Sequence, residues 1–344
     1  MSYASRHRNH RRDASGAAPA RQFRDAWRWR NVRPNHERTS VPGKILLLLC
    51  ILLFPAAAGA ACSVTPRATI PLDLVSGAII VPVEVNGIAA SFILDTGAQR
   101  SVVTGEAVRR LSLARDQWVG TTMSGVGGID RRANADPRSL SLGGVKLVRR
   151  TLNHDTSLTV GIIPRTVVGN HVIDGLLGRD FLSVFDLDLD LPARRLTIYS
   201  VQDCAGRFLP WTGGYASIPV AFPAEQAIIV TVTLDGTPLR ALLDSGSAAT
   251  LLTAPGMVRM GLQEANLAAD PADMISGLGP HMVPMHLHRF RSLDAGGEAL
   301  ETPAIWVAPV RLPLFVDMLL GADWLAGRRV WISHATKQVF VAAR

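Results

Sequence analysis

After residue 62 the chain is dominated by short runs in which apolar and polar positions alternate, the period of half-buried strands. Residues 79–85 (Ile-Ile-Val-Pro-Val-Glu-Val) run into Asn86-Gly87, a dipeptide suited to a two-residue hairpin turn, and residues 89–94 return. Residues 228–234, Asp235-Gly236 and residues 239–243 repeat the device. Three more hairpins are predicted: residues 140–147 around Gly143-Gly144, residues 185–191 with 196–199, and residues 330–333 with 338–341. Asp186, Asp188 and Asp190 alternate along one strand face, which reads as solvated. Helical signals are few and short, at residues 107–111, 178–183 and 321–326. The expected class is all-β, mostly antiparallel, with few short helices.

The pattern occurs twice. Residues 81–104 and 230–253 align without a gap at an offset of 149 (244 − 95), with Val81, Gly87, Leu94, Asp95, Gly97 and Ser101 opposite Val230, Gly236, Leu243, Asp244, Gly246 and Thr250. A second pair follows, Leu176-Leu177-Gly178-Arg179-Asp180-Phe181-Leu182 and Leu319-Leu320-Gly321-Ala322-Asp323-Trp324-Leu325. An internal duplication with one Asp-[Thr/Ser]-Gly loop per half predicts a two-lobed site where two carboxylates meet.

Each Asp emerges from a buried strand, and Gly97 and Gly246 permit close backbone approach to it. Thr96 and Ser245 carry hydroxyls that can bond across to the opposite loop. Two full charges at ~4 Å and an effective dielectric of ~20 repel by about 4 kcal/mol, so the pair shares one proton. Such a site holds an acid beside a base and can activate water without a metal or a covalent intermediate. The bland alternative, that Asp95 and Asp244 merely cap strands at turns, does not account for two such loops in one duplicated frame.

These motifs resemble those of retropepsin-like aspartic proteases, here fused in tandem into a pepsin-like two-lobed chain. The resemblance spans about residues 70–200 and 215–344 and rests on Ile93-Leu94-Asp95-Thr96-Gly97-Ala98 with Gly178-Arg179-Asp180, and on Leu242-Leu243-Asp244-Ser245-Gly246-Ser247 with Gly321-Ala322-Asp323. It implies the acid-protease barrel fold, Asp95 and Asp244 as catalytic pair, and Thr96, Gly97, Ala98, Ser245, Gly246 and Ser247 as supporting loops. Ser124-Gly125-Val126-Gly127 and Ser276-Gly277-Leu278-Gly279 stand where the family places its flaps. Neither carries the Tyr of pepsin-like flaps, which favours the retropepsin side. The implied activity is endopeptidase cleavage of a polypeptide bound as an extended strand, by a monomer and without cofactors. A peptide-binding or structural module that kept the fold and lost turnover is the alternative. Ala98 stands opposite Ser247; a hydroxyl missing beside Asp95 predicts a dyad that keeps its proton to higher pH, with an optimum of about 4.5–6.5.

The formal charge of +8 resides in residues 1–44, where eleven Lys/Arg face three acidic residues; the other 300 residues hold 25 basic and 25 acidic groups. A nucleic-acid partner is therefore not expected. Residues 1–44 read as a disordered basic tail and 45–61, with an apolar core at 45–54, as a signal peptide or membrane anchor. Everything after Cys62 is expected outside the cytoplasm, exported to a periplasmic or extracellular space or tethered by that segment, with no other membrane contact. Residues 62–205 and 206–344 form the two lobes. Of three cysteines, Cys50 lies in the apolar segment; Cys62 and Cys204 bracket the first repeat and are placed to form a disulfide, with a lipidated Cys62 or two free thiols as alternatives. His286 and His288 alternate on a strand but lack a third ligand at suitable spacing, so no metal site is read.

Overall fold

A computed structural model describes residues 61–148, 156–163, 166–221, 227–277 and 281–343. The expected basic tail, Cys50, nearly all of the apolar segment, and Leu278 and Gly279 of the second flap lie outside the described residues. Among the described residues no helix is long and apolar enough to cross a membrane.

Strands dominate, and the two halves build the same sheet. In the first, the order is Ala114–Gly125, Gly128–Asp136, Leu158–Gly161, Val102–Thr104, Gly175–Leu177, Ile88–Leu94, Ala78–Val85, Leu140–Leu142 and Val145–Lys146. In the second it is Ala272–Ser276, Met282–Arg289, Ala304–Val307, Leu251–Leu252, Met318–Leu320, Thr237–Leu243, Ile229–Leu234, Ser292–Asp294 and Ala299–Glu301. The Asn86-Gly87 and Asp235-Gly236 turns have positive φ at both positions, as a two-residue turn matched to strand twist requires. Alternation then buries one face: Val81, Val83, Val85, Phe92 and Leu94 point into the core, and Val230, Val232, Leu234, Leu239 and Leu243 do so in the second half.

A six-stranded antiparallel sheet takes strands from both halves, in the order Ser63–Pro71, Arg195–Gln202, Asp186–Asp190, Arg329–Ser333, Gln338–Ala342 and Tyr215–Ile218. It corrects the expected solvated face of Asp186 and Asp188, both of which are buried. The neighbouring strand comes from the other half and brings the partners. Asp188 receives both Nε and Nη2 of Arg329 at 2.9 and 2.6 Å, and Asp186 accepts the Trp331 indole N–H at 3.1 Å and the Ala335 N–H at 3.0 Å. A one-dimensional pattern cannot register that an alternating acidic face is met by a cation 141 residues away. Cys62 and Cys204 form a disulfide at the outer edge of this sheet, where Ser63 pairs with Gln202.

The short helices Gly105–Arg110, Arg179–Leu182 and Ala322–Leu325 fall where helical signals were read. Two more, Ala254–Met260 and Glu264–Leu267, were not predicted. Pro255 and Gly256 disguise the first. Pro255 occupies the opening turn, where its missing N–H is tolerated, and Gly256 lies so close to the Asp317 carbonyl that a Cβ would overlap it.

Candidate active site

Leu94 and Leu243 are fully buried ends of apolar strands, and each is paired in parallel with a Leu-Leu-Gly strand, Leu177 beside Leu94 and Leu320 beside Leu243. The chain leaves each strand at the Asp. The Asp95 N–H donates to the Leu177 carbonyl and the Asp244 N–H to the Leu320 carbonyl, both at 3.0 Å. The two loops are thus anchored on equivalent backbone frames before any side chain contributes.

Side chains then lock the loops to each other. The Thr96 hydroxyl donates to the Leu243 carbonyl at 2.8 Å and accepts the Ser245 N–H at 3.0 Å. The Ser245 hydroxyl donates to the Leu94 carbonyl at 2.7 Å and accepts the Thr96 N–H at 3.0 Å. Both residues are almost wholly buried, so each hydroxyl satisfies a donor and an acceptor that water cannot reach. Gly97 lies against the Asp244 carboxylate and Gly246 against that of Asp95; a Cβ at either position would overlap the opposite carboxyl group. Glycine is required here by close approach.

Each carboxylate is also held from its own loop. Asp95 Oδ1 accepts the N–H groups of Gly97 and Ala98 at 3.0 and 2.7 Å, and Asp244 Oδ1 those of Gly246 and Ser247 at 3.0 and 3.1 Å. Each carboxyl thus lies against the opposite loop, Asp95 at Gly246 and Asp244 at Gly97. Burial, and then the charge of Asp244, push Asp95 up to about 8 against the pull of those N–H groups. Asp244 is raised as well, by burial, and is held down by the Ser247 and Gly246 N–H groups, the Asp95 carboxyl and the positive charge of Arg179. Both carboxyls are thus raised, and the pair holds a shared proton to higher pH than two separate carboxyls would.

The Ser247 hydroxyl does not reach Asp244: it donates to the Ala249 carbonyl at 2.8 Å. The expectation that Ala98 sets the pH range fails on this geometry, because main-chain N–H groups serve both carboxylates alike and no hydroxyl is missing on one side.

The Leu-Leu-Gly segments lie beside the Asp-loop strands as the family resemblance implies, but the sequence assigned no role to the Asp that follows each. Asp180 accepts the Ser101 N–H at 3.0 Å and its hydroxyl at 2.7 Å, and the Ser101 Oγ accepts the Gly178 N–H at 2.8 Å. Asp323, Thr250 and Gly321 repeat this at 2.9, 2.7 and 3.2 Å. The signal was present, since Ser101 and Thr250 align at the common offset and both Asp residues belong to the repeated Leu-Leu-Gly-x-Asp motif. Arg179 has no second-half equivalent; it is buried, with one Nη donating to the Gly97 carbonyl at 3.3 Å.

The first predicted flap segment is a hairpin, and the described residues of the second end one of two paired strands. Ser124 and Gly125 end one strand, Val126 and Gly127 form the turn, and Gly125 pairs with Gly128. Ser276 ends the strand that pairs with Met282, and Gly277 follows it. The two strand pairs meet: the His281 N–H donates to the Gly127 carbonyl at 3.1 Å, and Gly277 packs against Val126. Beneath them lies a cleft of about 670 Å³ with Asp95 and Asp244 on its floor and Ser124, Gly125, Val126 and Ser276 on its roof.

The family model described as aspartyl protease matches residues 81–181 and again 230–324. The chain belongs to the aspartyl protease family. The two matched segments are the two halves of the duplicated frame, each containing one Asp loop and its Leu-Leu-Gly-x-Asp support. Among solved structures, an aspartic proteinase from Irpex lacteus is similar at 12% identity with a TM-score of 0.46, over 82% of this chain and 97% of that one. No curated protein matches the sequence. Membership of the aspartyl protease family supports a protease function for the dyad.

Proposed function

We propose that the protein is an aspartic endopeptidase that hydrolyses peptide bonds with a water activated between Asp95 and Asp244. The observation that carries the reading is the mirrored carboxylate pair, each packed on the opposite loop and locked by Thr96 and Ser245 on the floor of a roofed cleft. Asp244, ionised and held by N–H groups and Arg179, takes a proton from water as its oxygen attacks the peptide carbonyl carbon. Asp95 gives its proton to the carbonyl oxygen. The tetrahedral diol then collapses, the nitrogen leaves protonated, and the pair regains one shared proton.

The substrate is an extended strand lying under the flaps, where Ser124, Gly125, Val126, Gly127, Ser276 and Gly277 supply backbone groups to pair with it. One chain brings both carboxylates, so a monomer suffices. Residues 62–205 and 206–344 are the two lobes. Export, with residues 45–61 as signal or tether, is supported by the Cys62–Cys204 disulfide, which persists in an oxidising compartment.

The test is incubation of the full chain with a diverse peptide mixture across about pH 3 to 8, with and without pepstatin, read by mass spectrometry. Pepstatin-sensitive cleavage absent from Asp95→Asn is expected. Binding of peptides without cleavage at any pH would assign the protein instead to the peptide-binding modules.

A further inference from the structure

We propose that Arg100 selects substrates carrying an acidic side chain a few residues from the scissile bond; the inference rests on the peptidase reading above. The walls of the cleft are asymmetric. Gln99 and Arg100 follow the first Asp loop and line the cleft, and at the common offset their second-half counterparts are Ala248 and Ala249. Arg179 likewise faces Ala322 across the repeat. Both basic groups of the cleft wall therefore come from the first half.

Arg100 is largely buried and only weakly engaged. Its side chain is 20% exposed, and Nε lies 4.0 Å from Asp180 Oδ2, outside hydrogen-bond range. That buried Nε has no hydrogen-bond partner among the described residues. Asp180 is already occupied by the N–H and hydroxyl of Ser101. Arg100 and Arg179 both line the cleft that holds the dyad.

Among the described residues of the cleft, only the first-half wall offers basic side chains. Across the cleft the second half offers Trp306, Leu312 and Leu314 and, on its flap, Asp273, which repels a carboxylate. Arg100 also borders a polar groove of about 880 Å³ that opens away from the dyad, where Arg138 and Lys146 stand with Asp116 and Asp136. A Glu side chain reaching the first-half wall meets the guanidinium at the junction of cleft and groove. A charge-assisted, fork-like contact is the strong form of hydrogen bond and is lost by the isosteric Gln.

The experiment walks a single Glu through each position around a cleaved bond, with a Gln twin for every peptide. The full-length protein should cleave the Glu twin about tenfold faster in kcat/KM at one position. Arg100→Gln should erase that ratio, Arg100→Lys should keep part of it, and Arg100→Glu should reverse it in favour of a Lys peptide. A variant that folds poorly loses both twins alike, so the ratio still reports. Equal cleavage of the twins at every position, or a ratio unchanged in Arg100→Gln, would overturn the proposal. If the protein cleaves no peptide, the peptidase reading fails separately, and fluorescence anisotropy of the same labelled twins decides selection. Tighter binding of the Glu twin that vanishes in Arg100→Gln sustains it, and equal or absent binding refutes it.

Discussion

In the first half, Asp174 accepts the Ser91 N–H at 3.0 Å and pairs with Arg110 at 2.6 Å; in the second, Asp317 accepts the Arg240 N–H at 2.9 Å and pairs with Arg259 at 3.1 Å. The same correspondence holds for the Thr96 and Ser245 lock and for Asp180 and Asp323 beneath the loops. It stops at the cleft wall, where Gln99, Arg100 and Arg179 stand opposite Ala248, Ala249 and Ala322. The contrast separates two kinds of constraint. Groups that fix the position of a carboxylate are repeated, because both carboxylates must arrive with the same geometry. On the proposed peptidase reading, groups that face the substrate should differ, because the two ends of a peptide are not equivalent.

The largest effect belongs to the repeated groups. Asp95→Asn and Asp244→Asn should each lower kcat/KM by about 10⁴-fold with the far-ultraviolet circular dichroism unchanged, and the double variant should lose little more than either alone. If Asp244→Asn retained wild-type turnover, the halves would not form one catalytic unit.

The paired scaffold ions come next. Arg110 and Arg259 are about half exposed while Asp174 and Asp317 are nearly buried. Arg110→Ala and Arg259→Ala should each destabilise by about 1–2 kcal/mol in urea unfolding, since each leaves a buried carboxylate with only its backbone donors. The two losses should add to within about 0.5 kcal/mol, as expected for separate sites. Strong non-additivity, or a loss confined to one half, would break the equivalence of the two scaffolds.

These correspondences mark how much of the molecule was legible in sequence. The fold class, the Asn86-Gly87 and Asp235-Gly236 hairpins and the meeting of the Asp loops follow from local alternation and one exact repeat. Arg110 and Arg259 share the 149-residue offset too, but a lone charged position on a helix carries no sign of its buried partner. The Asp186 and Asp188 strand misled for the opposite reason. Its alternation was correct, and its meaning depended on Arg329 and Trp331 arriving from the other half. The Ser247 hydroxyl misled because composition gives a donor but not its direction, and the Ala249 carbonyl is the nearer acceptor. Local periodicity is written in the chain; the choice among long-range partners is not.

The smallest expected effect tests the unrepeated side of the comparison. In the proposed mechanism turnover needs one proton on the pair, with Asp244 as the ionised member, so activity should fall on the acid side as Asp244 takes up a proton and on the alkaline side as the pair loses its shared one. Arg179 favours the ionised form of Asp244 and so holds its pKa down. Arg179→Gln removes that charge, Asp244 protonates at higher pH, and the acid limb of the kcat/KM profile should move upward. Arg179→Lys keeps the charge and should leave the limb near its original place, which separates electrostatics from the lost contact to the Gly97 carbonyl. The alkaline limb should move less, because burial and the Asp244 charge, not Arg179, raise Asp95. Ala98→Ser should shift neither limb, since the existing serine at the equivalent position turns its hydroxyl to a main-chain carbonyl. An acid limb that stays put in Arg179→Gln, or moves downward, would remove Arg179 from the tuning of the dyad. The asymmetry between the halves would then concern substrate binding alone.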